Sequence, residues 1–414
     1  MTLCSIKKCV CLHVFAVHAK ALIAAFCPAT LHVPDWRSFI FVWVNEGKVL
    51  HYFPVVVVTL KVDATARIIG WTTTPAALNP YSMQQRFFAL ILFVLLCAPA
   101  LWAQSGQQSI RQNVPTDSIR LSDPFILADK KTAMYYMTGT GGKLWKSKDL
   151  KTWTGPYTVV QTDPTSWMGK APMIWAAELH EYKGKYYYFA TFTNRDVHID
   201  TVKGTAIERR ASHVLVSNNP DGPYVPMKDA EYLPADKPTL DGTFWVDKDG
   251  LPYMVYCYEW LQNWNGTVEK IQLKEDLSGS VGKSRLLFFA SDAPWSRERN
   301  EHGMVVPNKV TDGPFLFYTQ TGKLGMLWTS WVFNDYTQGV AYSKSGTLDG
   351  PWIHEKEPIT PPNFGHGMMF RTFEGKLLMA LHSHRSENGR FIRIPKLFEV
   401  DDSGDKITIG KAVK

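Results

Sequence analysis

The stretch WAAELHEYKGKYYYFATF, residues 175–192, carries two apolar, aromatic-rich runs around a tight polar turn at Tyr182-Lys183-Gly184-Lys185. Alternating, aromatic and β-branched residues bounded by a Gly turn read as a β-hairpin. The same pattern recurs as DKKTAMYYMTG from Asp129, DKDGLPYMVY from Asp247, QTGKLGMLWTS from Gln320 and FEGKLLMALHS from Phe373. The copies sit roughly 50 to 75 residues apart. Each follows a short strand-like segment: AAELHEY itself, then DPFIL, DGTFWV, DGPFLF and GHGMMF. A second signature closes several units: SKDLKTWTGP from Ser147, SNNPDGPY from Ser217 and SKSGTLDGPW from Ser343, each read as a strand ending in a Gly-Pro turn. Five copies of a four-stranded antiparallel unit predict an all-β chain, a five-bladed β-propeller. The plainer alternative, a β-sandwich with similar hairpins, does not explain the repeated closing signature.

The first quarter reads differently. Residues 83–103, MQQRFFALILFVLLCAPALWA, have the layout of a secretory signal: Arg86, an apolar run from Phe87 to Leu96, then small residues up to Ala103. The run is short for a membrane span. Met83 stands where such a peptide begins, so residues 1–82 are expected to be upstream sequence outside the mature protein, and residues 104–414 to be the propeller. Two other readings are a lipid-modified Cys97 and a genuine extra domain over 1–82. The chain carries +7 overall. Residues 1–103 hold 8 of its 45 Lys+Arg and 3 of its 38 Asp+Glu, so the remainder carries only about +2. That argues against nucleic acid or an anionic membrane as partner. Cys257 is the one cysteine left after Cys97, so the exported fold needs no internal disulfide. The expected location is periplasmic or extracellular.

In a propeller the first strand of each blade lines the central funnel. The residues opening those strands are Asp123, Glu178, Asp241, Asp312 and His366. The second strands run back to the same face and end at Asn194-Arg195, Glu259-Trp260, Asn334-Asp335 and His384-Arg385. Taken singly, Asp123 before Pro124 and Asp241 before Gly242 are turn formers. Taken together they predict a ring of carboxylates at one funnel mouth. Such a ring suits cleavage of an acetal, which needs a proton donor to the leaving oxygen and a carboxylate as nucleophile or base. Crowded carboxylates split their pKa values, which supplies both forms at one pH. Trp175, Trp245, Trp260 and Trp331 are placed to stack on sugar rings. No GxSxG, HExxH or Cys pair after Cys97 points to other chemistry.

At these residues the sequence resembles the family 43 glycoside hydrolases, from about Ser118 to Val400. The resemblance rests on DPFI with Asp123, on Trp175 and Glu178, on LDGTFWVDKDG with Asp241, on TDGPFLF with Asp312, and on GHGMMF with His366. It implies a five-bladed propeller acting with inversion. It also implies that Asp123 is the general base, that Asp241 orients the proton donor and raises its pKa, and that Asp312 is the acid. The family residue at the last position is usually Glu in TEGP, whereas this chain has TDGP. An acid shorter by one methylene leaves Glu259, and after it Glu178, as alternative donors. His366 is implied to hold water or a calcium ion, or to contact substrate. Arg385 and Arg390 are expected to hold sugar hydroxyls. No cofactor is required.

The expectation is therefore an inverting, exo-acting glycosidase. Its substrate is an oligosaccharide or polysaccharide bearing α-L-arabinofuranosides, with β-D-xylosides and β-D-galactofuranosides open. The alternative is a carbohydrate-binding propeller without catalysis.

Overall fold

Strand-forming residues dominate the chain after residue 110, and their alternation matches the sheets observed. The computed structural model describes residues 109–413 apart from 228–229, 302–303, 306–307 and 389. It also describes three strands nearer the start, Arg37–Val42, Val56–Val62 and Ile68–Pro75, which pair antiparallel in that order as a separate unit. The expected signal at 83–103 lies outside the described residues.

Five antiparallel blades follow one another along the chain from Gln108 onward, the last two joined into one sheet by a parallel bridge between Thr337 and Phe364. Blade I has strands Phe125–Asp129, Met134–Thr138, Lys143–Ser147 and Thr152–Thr158, with Arg111–Pro115 added outside the last. Blade II has Met173–Tyr182, Lys185–Val202, Thr205–Ser217 and the short Val225–Pro226. Blade III has Thr239–Val246, Pro252–Tyr258, Thr267–Leu273 and Ser280–Phe289. Blade IV has Asp312–Tyr318, Leu324–Val332, Asp335–Ser343 and Trp352–His354. Blade V has Phe364–Arg371, Leu377–Glu387, Arg390–Asp401 and Thr408–Ala412.

The innermost strand of each blade packs on that of the next, and the innermost strand of blade V lies against that of blade I. The result is the expected five-bladed β-propeller. Blades I and V are joined by packing rather than by a shared strand. Ile119, Leu121, Phe125, Tyr135 and Trp153 of the first form one buried cluster with Met368, Phe370, Leu378 and Leu397 of the last. Burying a side chain of this size contributes about 1.5–3 kcal/mol, so this cluster is a substantial closure.

Two details of the sequence reading change. The Gly-Pro pairs do not end a strand as a turn: Gly155-Pro156 lies inside the fourth strand of blade I, Thr152–Thr158, and Gly222-Pro223 and Gly350-Pro351 lie just before the outermost strands of blades II and IV. The fifth blade also runs past the end of the resemblance near Val400, because Thr408–Ala412 forms its outer edge. Cys257 is buried and unpaired with any other cysteine.

Candidate active site

The inner strands of blades II to V begin with the same local distortion. The register skips two residues between Trp175 and Glu178, Leu240 and Thr243, Asp312 and Phe315, and Gly365 and Met368. Within each skip the first residue is left-handed: Ala176 (φ 41°), Asp241 (φ 55°), Gly313 (φ 51°) and His366 (φ 51°); Asp123 (φ 56°) takes the same place in blade I. Outside glycine this conformation costs of order 1–3 kcal/mol and survives only where surrounding bonds fix it. Those bonds come from the second strand of the preceding blade. Ala176 N–H donates to Thr140 Oγ1 (3.0 Å), Asp241 N–H to Thr191 Oγ1 (2.8 Å), His366 N–H to Thr329 Oγ1 (2.8 Å) and Asp123 N–H to His382 Nδ1 (3.0 Å). Blade III has Cys257 at that position, opposite Leu240. There Gly313 N–H instead donates to Asp241 Oδ2 at 3.0 Å. Gly313 must be glycine for a second reason: a Cβ would fall 2.6 Å from the His366 ring.

The ring expected from the sequence is thus real for Asp123, Asp241 and His366, which share one structural position. His366 Nδ1 lies 3.2 Å from Asp123 Oδ1 and 3.8 Å from Asp241 Oδ2. Asp312 and Glu178 are not equivalent to them. Asp312 stands one residue before the left-handed position of its blade and Glu178 two residues after that of its own, so spacing to the hairpin turn picked residues to either side of the shared distortion. Asp312 still faces the group, with Oδ2 accepting from Tyr336 Oη at 3.0 Å. Glu178 sits one layer further down the axis and bonds His180 Nε2 at 2.7 Å.

These surroundings separate the protonation states. Burial works against the Asp123 charge, but the His366 and His382 imidazoles and the hydrogen bond from Thr140 Oγ1 (2.5 Å to Oδ2) together outweigh it, and the carboxyl is held well below its ordinary range. Burial pushes Asp312 up to about 6, against the pull of His366 and the Tyr336 hydroxyl, with Asp123 adding to the rise. Asp241 is raised well above the carboxylate range by burial, opposed by His366 and reinforced by Asp312 and Asp123. His366 itself is raised: burial opposes its charge, and Asp123, Asp241 and Asp312 favour it.

Glu259 is placed differently from the three aspartates. Both its oxygens are 2.5 Å from Arg210 Nη1, and Arg210 Nε donates to Thr193 Oγ1 at 2.9 Å. Burial pushes Glu259 up to about 7 while Arg210 pulls it down. The Arg210 guanidinium stacks on Trp175 at 4.1 Å. This buried pair joins blades II and III beside the mouth. Arg210→Met leaves Glu259 buried without its cation, and is expected to lower unfolding free energy by about 3–5 kcal/mol. Urea melts check this; a change under about 1 kcal/mol would show that Glu259 sheds its charge freely.

The remaining expected residues scatter. Trp260 opens a one-turn helix, Trp260–Asn263, and packs on the core of blades III and IV. Trp245 lies at the far end of its strand against Tyr318, away from the mouth. Arg385 is exposed and paired with Glu387, and Arg390 is exposed at the start of the neighbouring strand. Neither meets the carboxylates, because the blade V hairpin runs on past the mouth to a turn at 387–390. Trp331 does lie near, 5.2 Å from Tyr336. Sequence reasoning missed Thr140, Arg210, Tyr336, His382 and Arg393. The alternation His382-Ser383-His384 is a usable signal, since it sends two imidazoles to one side of a strand.

The model of the glycosyl hydrolases family 43 matches residues 113–401. The chain belongs to this family. As a family 43 glycosidase it hydrolyses O-glycosyl bonds. It is similar to a solved structure described as an endo-arabinase from Bacteroides thetaiotaomicron, at 34% identity and TM-score 0.60 over 73% of this chain and 98% of that one. It is similar in fold to an endo-1,4-beta-xylanase from the same organism, at 21% identity and TM-score 0.54 over 74% and 98% of the two chains. An alpha-L-arabinofuranosidase from Lactobacillus brevis shares the fold at 17% identity and TM-score 0.54, over 70% and 93%. No curated protein sequence matches the chain.

The resemblance also implied water or a calcium ion at His366. Next to it lies an axial cavity of about 10 Å³, lined by Asp123, Glu178 and His366 with apolar Phe125, Phe315 and Met368 among others. That is room for about one water. Calcium takes six to eight oxygen ligands; Glu178 is already bonded to His180, and Asp123 to Thr140 and His366. Among the described residues no group of three His, Cys, Asp or Glu is arranged to hold a metal. The residues present fit a water better than calcium.

Proposed function

We propose that this family 43 glycosidase hydrolyses α-L-arabinofuranosidic bonds with inversion, Asp123 acting as base and Asp312 as acid. One observation carries the reading: three carboxyls meet around His366, with Asp123 held ionised while Asp312 is pushed up to about 6. Asp123 takes a proton from a water whose oxygen attacks the anomeric carbon. The glycosidic C–O bond breaks as Asp312 gives its proton to the leaving oxygen. Asp123 then returns its proton, and Asp312 regains one, through solvent. Asp241 accepts the N–H of Gly313, the residue after Asp312, and so steadies the backbone that carries the acid.

The sugar is inferred from the 34% likeness to the structure described as an endo-arabinase. β-D-Xylosides and β-D-galactofuranosides are the next substrates. Exo action is the expectation from sequence, and the same likeness favours internal cleavage of an arabinan as a second reading. Monosaccharide release against a ladder of oligosaccharides separates them. Export by the segment 83–103 places the enzyme in the periplasm or outside the cell, which N-terminal sequencing of the secreted protein tests.

A panel of aryl glycosides tests the activity. The arabinofuranoside should turn over fastest, and a xyloside preference of tenfold or more would overturn the sugar assignment. The pH profile has a definite sign. Asp312 must be protonated, so kcat/KM should fall as pH rises through about 6. Asp123 stays ionised through the ordinary carboxylate range, so no acidic limb is expected near pH 4.

A further inference from the structure

We propose that the rim of blades IV and V, from Tyr336 through His384 to Phe391, is a binding wall for the leaving-group portion of an oligosaccharide. This rests on reading Asp312 as the acid. Ring contacts run without a gap from that acid to solvent. Tyr336 donates to Asp312 Oδ2 at 3.0 Å. Its ring stacks nearly parallel on His384, at 4.9 Å and 9°. Phe391 meets His384 edge-on, at 4.5 Å and 74°. Trp331 flanks the first step, 5.2 Å from Tyr336 and 6.0 Å from His384.

Exposure rises along this path. Tyr336 is 5% exposed, His384 and Trp331 are half-buried, and Phe391 is 60% exposed. Phe333, 50% exposed, caps the adjoining turn of blade IV. These are the two most exposed phenylalanines among the described residues; Phe333 lies in the turn between the second and third strands of blade IV, and Phe391 at the start of the third strand of blade V. A phenylalanine left in water forfeits the gain from burial, and a sugar's C–H face can recover part of it. The wall is held in place independently of any ligand. Arg393 Nε donates to His384 Nε2 at 3.1 Å, and the buried His382 meets the same nitrogen at 2.9 Å. The Arg299 guanidinium lies 4.9 Å over Trp331, and that of Arg393 5.8 Å from Phe391. Planar guanidinium donors suit vicinal sugar hydroxyls.

The inferred occupant is a neutral arabino-oligosaccharide with sugars beyond the cleaved bond, since the wall starts at the group that protonates the leaving oxygen. The test compares kcat/KM on arabino-oligosaccharides of two to five units with that on an aryl arabinofuranoside, for the full chain and for Phe391→Ala. The wild-type value should rise with chain length. In Phe391→Ala the ratio of longest oligosaccharide to aryl substrate should fall about tenfold. An unchanged ratio, or a wild type that cleaves the aryl substrate without gain from chain length, overturns the wall and leaves the proposed function standing. A wild type that cleaves neither substrate overturns both.

Discussion

Asp123→Asn is expected to lower kcat by about 10³-fold on any substrate, whatever its leaving group, because the attacking water then has no base. The substitution keeps the shape and the bond from Thr140, so the fold should survive. It removes the charge that favours protonated His366. Initial rates at saturating aryl arabinofuranoside, alongside a thermal melt, measure both consequences. Added azide, which needs no base, should restore part of the rate and give a glycosyl azide of inverted configuration. A loss of less than tenfold in a folded variant would remove Asp123 from the mechanism.

The second large effect separates the candidate acids. Asp312→Asn should cost about 10²–10⁴-fold on alkyl or poorly activated aryl glycosides. It should cost far less on a dinitrophenyl glycoside, whose oxygen leaves without a proton. Glu259→Gln should show no such dependence on leaving group, since both Glu259 oxygens are committed to Arg210. The reverse pattern would transfer the acid's role to Glu259. Tyr336→Phe supplies an independent check on Asp312. The Tyr336 hydroxyl stabilises ionised Asp312. Without it the carboxyl's pKa rises, so the descending limb of kcat/KM should move to higher pH while the low-pH rate falls only modestly. A limb that does not move would mean that it belongs to another group.

The propeller was legible because its signal is a repeat. Five hairpins with aromatic second strands are visible in one dimension, and the first strand of each must line the funnel. Asp123, Asp241 and His366 follow from that geometry. Asp312 and Glu178 show its limit: spacing to the next turn locates a strand position only to within one or two residues, and these two acids stand on either side of the left-handed residue of their blades. Tyr336, Arg210 and His382 come from second and third strands, where no motif marks which residue faces the axis. Arg385 and Arg390 failed for a different reason. The blade V hairpin extends well past the mouth, so residues that count as strand ends lie out in solvent. Cys257 signals in sequence only the absence of a disulfide. Its structural meaning is that one blade lacks the hydroxyl or imidazole that elsewhere holds the next blade's left-handed residue, and Asp241 takes over that bond.

The central claim is single displacement by water between Asp123 and Asp312. It is tested most directly by proton NMR of the first sugar released from an aryl α-L-arabinofuranoside, observed before mutarotation. Inversion predicts β-L-arabinose as the initial signal. α-L-Arabinose would show a covalent intermediate and contradict the roles of base for Asp123 and acid for Asp312 in a single displacement.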